Sequence, residues 1–130
     1  MNIEKLIQEK IESIQLPDKF IMKIKHDLEY IFSYELEDLE QIILFGSCAR
    51  GKVKATSDVD WLLVTREPIV DRNIRHTILC DLCDEYNGVE ADVVFTTLKQ
   101  RDERNTSFMK LTESDELIIW EKGDQTNDKE

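Results

Sequence analysis

Two short apolar runs, "QIILF" (41–45) and "DVDWLLVT" (58–65), constrain this chain more than anything else in it. Runs of that length, rich in β-branched and aromatic residues, suit strands of a sheet that is covered on both faces. The second run opens with Asp58 and Asp60, one residue apart. On a strand, residues at i and i+2 project from one face, with their Cα atoms ~6.5–7 Å apart. Two carboxylates so placed can share a divalent cation or bridge a pair of them. Without a cation they repel, and one carboxyl pKa rises. A strand end facing water explains the pair equally well when it is considered alone.

The segment between the runs adds to the picture. Gly46-Ser47 falls where the first strand should stop and a short helix begin. Glycine lets a backbone approach a ligand closely, and a serine opening a helix sits among free N–H groups that attract anions. Arg50 follows one turn later, then Lys52 and Lys54, and no acid occurs between Gln41 and Ser57. By itself Gly46-Ser47 would be an ordinary strand-to-helix turn. A third strand is expected at 89–97, where Val89, Ala91, Val93 and Phe95 alternate with Glu90, Asp92, Val94 and Thr96. Asp92 interrupts an otherwise apolar strand, and a lone buried aspartate requires a partner or a metal. If this strand neighbours the second, three carboxylates converge. Such hard oxygen donors suit Mg²⁺ or Mn²⁺ rather than zinc.

The remaining periodicities predict an α/β (α+β) domain in the order αα-βα-βα-βα-β. Ile3, Leu6, Ile7, Ile11 and Ile14 mark a helix over 3–14, and Phe20, Ile21, Ile24, Leu28, Ile31 and Phe32 mark a second from Pro17 to about residue 33. Val70, Ile74, Ile78, Leu79, Leu82 and Tyr86 predict a third helix, stopped by Asn87-Gly88. Residues 98–114 are expected to be partly helical, with Phe108, Met109 and Leu111 inward, before a last strand at 116–121. Residues 1–121 form a single expected domain, and the polar 122–130 a disordered tail.

Charge and cysteine content narrow the function. A net charge of −11 repels a phosphate backbone, so direct nucleic-acid binding is not expected and a basic protein partner is easier to accommodate. No apolar run approaches the ~20 residues of a membrane span. "MNIEKLIQEK" is not a signal peptide, so a cytoplasmic location with reduced thiols is expected. Cys80-x-x-Cys83 lies in a helix-period segment with no second pair, which favours two small flank residues over a zinc site. His26 and His76 are placed on helix surfaces, and Trp61, Phe108 and Trp120 in the core.

"GSCARGKVKATSDVD" matches the Gly-Ser-x10-Asp-x-Asp signature of the DNA polymerase β-type nucleotidyltransferase superfamily. With its surroundings it looks most like the small MNT-type (minimal nucleotidyltransferase) members, over about residues 41–97. The resemblance implies a nucleotidyltransferase fold, a small mixed sheet with helices packed on it and two N-terminal helices. It implies that Asp58, Asp60 and Asp92 are catalytic and hold two Mg²⁺ ions, and that Gly46 and Ser47 contact the phosphates of ATP. Arg50 stands where small members commonly carry arginine, and Cys48 where many carry arginine or another large polar residue. Small members of this kind are antitoxins that add AMP to a tyrosine of a HEPN-type ribonuclease toxin. The same function is therefore expected here. The alternatives are a small-molecule nucleotidyltransferase that dimerises, or an antitoxin that acts by contact alone.

Overall fold

A computed structural model describes residues 2–103 and 116–123. Helix α1 (Ile3–Lys10) starts at Asn2, whose side chain accepts from the Lys5 N–H. It stops four residues short of the expected end, and a 3₁₀ turn over Glu12–Ile14 follows. Helix α2 (Asp18–Ser33) enters behind Pro17 and buries Phe20, Ile24, Leu28 and Ile31. Strand β1 (Leu39–Phe45), one turn of helix α3 (Ser47–Arg50), β2 (Val59–Thr65), α4 (Arg72–Cys83), β3 (Ala91–Thr97), α5 (Leu98–Glu103) and β4 (Leu117–Glu121) complete the order.

The four strands form one mixed sheet in the order β3-β2-β1-β4. β1 runs antiparallel to both its neighbours, and β2 pairs parallel with β3 through the α4 crossover. Alternation sorts the side chains onto two faces. Ile42, Leu44, Val59, Trp61, Leu63, Ala91 and Ile119 join the α1 and α2 residues in the main core. Ile43, Phe45, Leu62 and Val64 form a smaller cluster on the reverse face. Trp61 and Trp120 are both buried, Trp120 edge-on to Phe32. Phe108, Met109, Leu111 and most of the expected tail lie outside the described residues. No helix among those described is long and apolar enough to cross a membrane.

The third helix ends earlier than its apolar pattern predicted. Asp84 is already extended, and Val70 stands 86% exposed ahead of the helix. Asn87 and Gly88, both at positive φ, instead form a two-residue turn closed by reciprocal Tyr86–Val89 backbone bonds of 2.9 and 3.0 Å. The early stop has a physical cause. The Lys23 Nζ donates to the carbonyls of Leu82 (2.7 Å) and Asp84 (3.0 Å), satisfying acceptors that a further helical turn would have used. His26, expected on the surface, is half-buried. Its Nδ1 lies 2.9 Å from Asp27 Oδ1 and its ring stacks on Tyr86 at 4.1 Å. His76 is exposed, with Nε2 3.4 Å from the Cys80 sulfur.

Candidate active site

The chain reverses at the carboxyl end of β1, so Gly46 lands beside the start of β2. Phe45 pairs with Asp60 across the β1–β2 ladder. Gly46 adopts φ +77°, ψ −151°, a conformation open essentially to glycine alone. A Cβ placed there would stand 2.4 Å from Asp60 Oδ2. The glycine is thus required twice, by its own backbone and by the carboxylate lying against it. Gly46→Ala is expected to cost about 2–3 kcal/mol, read as a lowered urea midpoint with an unchanged slope.

Asp60 and Asp92 are register partners on the parallel β2–β3 pair. They share the face opposite Trp61, with backbones about 5 Å apart. Asp58 precedes the first residue of β2 and is half-buried, as is Asp60. Asp92 corrects an expectation: it is exposed rather than buried, because β3 is an edge strand and its first turn of pleat is open to solvent. The argument from an expensive buried aspartate therefore passes to Asp60. Burial first, then the charges of Asp92 and Asp58, push its pKa up to about 6, while Arg50 opposes the shift. Arg50 itself is exposed at the end of α3.

The donor set suits a hard dication: carboxylate oxygens with a glycine backbone against one of them, and a half-buried acid strained by two like charges. Among the described residues, no three His, Cys, Asp or Glu side chains already stand gathered around one point. Loading such a site requires the exposed Asp92 side chain and the strand-flanking Asp58 to turn toward Asp60. Ser47 opens the single turn of α3, and the Arg50 N–H closes it onto the Gly46 carbonyl at 3.2 Å.

Cys48 points away from this surface. It is fully buried in the main core, with its sulfur 3.5 Å from the Asp58 carbonyl. Burial, then Asp60 and Asp58, push its thiol pKa up to about 12. Labelling with an aromatic disulfide at neutral pH should modify Cys80 quickly and the half-buried Cys83 more slowly. Cys48 should react only after denaturation, as mass mapping of the labelled peptides will report.

The residue pattern missed a buried polar network behind β2. Lys23 and Asp27, both fully buried, form an ion pair at 2.9 Å, and Asp27 Oδ2 accepts from the Trp61 Nε1 at 2.8 Å. It links α2, the end of α4 and the strand that carries Asp60.

A fold with this strand order and with Gly-Ser set against Asp-x-Asp is that of a nucleotidyltransferase. The family model for the nucleotidyltransferase domain matches residues 21–115, and the chain belongs to that family. Among known proteins it is 38% identical over 69 residues to one from Methanocaldococcus jannaschii, whose assigned activity, protein adenylylation, is itself an inference. That match covers 53% of this chain and 42% of the relative, so the chain aligns with less than half of that protein's length. Two crystal structures share the fold. One is a nucleotidyltransferase, assigned by inference, from Sulfolobus solfataricus (TM-score 0.51, 19% identity, 81% of this chain and 88% of that one). The other is a toxin–antitoxin with AMP-PNP (TM-score 0.52, 18% identity, 73% of this chain and 71% of that one).

Proposed function

We propose that this protein transfers AMP from ATP to a hydroxyl of a partner protein, as the antitoxin of a HEPN-type toxin pair, with Mg²⁺ as cofactor. The observation that carries the reading is the register of Asp60 with Asp92 beside Gly46. Asp58 and Asp60, joined by Asp92, would hold the dications, which when bound would supply the charge that neutralises the triphosphate and acidifies the acceptor hydroxyl. Gly46 and Ser47 present backbone to the phosphates, and Arg50 adds positive charge on the same side. Asp92, the exposed member of the trio, orients the acceptor oxygen and takes its proton. That oxygen attacks the α-phosphorus in line, an O–P bond forms, the bond to the β-phosphate oxygen breaks, and pyrophosphate leaves. The match to an assigned protein adenylyltransferase and the likeness to a toxin–antitoxin structure support a protein acceptor.

The test is incubation with Mg²⁺ and α-labelled ATP in a cell lysate, followed by gel and mass analysis. A labelled protein band, lost on chelation and carrying one AMP on a tyrosine, is the expected result. Label found only in small molecules, or none at all, would overturn the reading.

A further inference from the structure

At the far end of the sheet, the carboxyl ends of β2 and β3 and the start of α4 enclose a cleft of about 240 Å³. It lies roughly 17 Å along β2 from Asp60, well apart from the carboxylates. No acid among the described residues lines its walls. Pro68, Ile69 and Phe95 supply apolar contact. Arg75 lies over the Phe95 ring, its guanidinium carbon 5.2 Å from the centroid. Such a cation–π contact holds the group at the cleft wall while leaving N–H groups available.

The hydrogen bonds of the cleft leave donors over. Gln100 Oε1 accepts from the Thr97 N–H (3.3 Å) and the Thr96 hydroxyl (3.0 Å), which pins the carboxamide and turns its NH₂ outward. The Thr97 hydroxyl, on a side chain more than nine-tenths buried, accepts from the Gln100 N–H at 3.2 Å. Among the described residues its own hydrogen, the Gln100 NH₂ and the Arg75 guanidinium have no acceptor. Asp71, one turn before Arg75, is directed instead at the N–H groups of Asn73 (2.8 Å) and Ile74 (3.3 Å). By contrast Lys23, Lys25, Arg66, Arg101 and Lys122 each meet a carboxylate. Other cations among the described residues, Arg72 and Lys99 included, also meet no carboxylate; what sets Arg75 apart is that it is held over a ring in the wall of a cleft, beside two further donors.

We propose that this cleft binds a small organic oxyanion. Arg75 and Gln100 grip the charged group, the Thr97 hydroxyl donates a third hydrogen bond, and the carbon skeleton rests on Pro68, Ile69 and Phe95. The proposal is independent of nucleotidyl transfer.

Benzoate and phenyl phosphate share a ring and differ in the anion, so they separate carboxylate from phosphoryl recognition. Each is titrated into ¹⁵N-labelled full-length protein at constant ionic strength. Saturable shifts at the Thr96, Thr97 and Gln100 amides, with half-saturation below about 10 mM, are expected for at least one probe, and the tighter one defines the anion class. Arg75→Ala and Gln100→Glu should each weaken binding at least about tenfold, or roughly 1.4 kcal/mol, with other resonances unmoved. Linear, non-saturating shifts, saturation centred on Val59 to Asp60, or unchanged affinity in Arg75→Ala would each overturn it.

Discussion

Replacing Asp60 with asparagine is expected to abolish AMP transfer, by at least about 10³-fold, while leaving the protein folded and more stable at neutral pH. The two effects have one cause. Asp60 has its pKa pushed up to about 6 by burial and by Asp92 and Asp58. The folded protein therefore holds this proton more tightly than the unfolded chain does. The resulting stabilisation is complete below the unfolded-chain pKa of 3.8 and is lost as pH rises through about 6. Above that, the ionised carboxylate is a burden of about 1–2 kcal/mol, once solvent screening of a half-exposed group is allowed for. Asparagine cannot ionise, so the stability gap between variant and parent should open between about pH 4 and 6 and then level off. Mg²⁺ with ATP should raise the Tm of the parent and not of the variant. Asp58→Asn should match the loss of transfer, and Asp92→Asn should lower the rate with little effect on nucleotide binding. If Asp60→Asn instead lowers the metal-free Tm by several degrees, the carboxylate is a structural group and the assignment falls.

Much of this site was legible because its chemistry and its backbone requirements fall in one stretch of chain. A glycine at the end of an apolar run, followed by paired acids at the head of another, leaves few foldings that keep both strands buried. The parallel pairing of β2 with β3 was the conditional step, and it puts Asp92 in register with Asp60. What pattern could not supply was exposure. An acid in an apolar strand looks the same on an edge as in the middle, so Asp92 was expected to be buried and is not. Helix ends failed for a similar reason. The pattern of α4 continues to Tyr86, but a lysine from α2 takes the carbonyls at Leu82 and Asp84, and nothing local announces a donor 59 residues away. Lys23 and Asp27 fall on the same buried stripe as residues 20, 24, 28 and 31. An apolar periodicity carries no mark of the charged members of a buried face. Cys48 is the opposite case. It stands where many members carry arginine or another large polar residue, but its side chain is fully buried in the core.

Lys23→Met is expected to destabilise the protein by about 3–5 kcal/mol, close to the cost of breaking a fully buried ion pair from one side. All three ammonium hydrogens are in use, to Asp27 Oδ1, the Leu82 carbonyl and the Asp84 carbonyl. Methionine keeps the volume but leaves Asp27 without its cation, with His26 and Trp61 as its remaining partners, and strips the end of α4 of its donor. Removing both charges together, as Lys23→Met with Asp27→Leu, should recover a large part of the loss. It should not recover all of it, since the Trp61 Nε1 and the Leu82 carbonyl stay buried without partners and the Asp84 carbonyl loses its donor. Trp61→Phe should cost about 1–2 kcal/mol by deleting the single bond to Asp27. Urea unfolding of Lys23→Met, Asp27→Leu and the double variant against the parent closes the cycle. A double variant no better than Lys23→Met would mean that the carbonyls, not the unpaired aspartate, carry the cost. A Lys23→Met protein as stable as the parent would mean that water reaches Asp27 and that the network is not the closed one described. The network also joins β2 to two helices from behind, so its rupture should loosen Asp60 against Gly46. Amide exchange at Val59 to Leu62 should quicken in Lys23→Met well below the global unfolding transition, while the β1–β4 ladder keeps its protection.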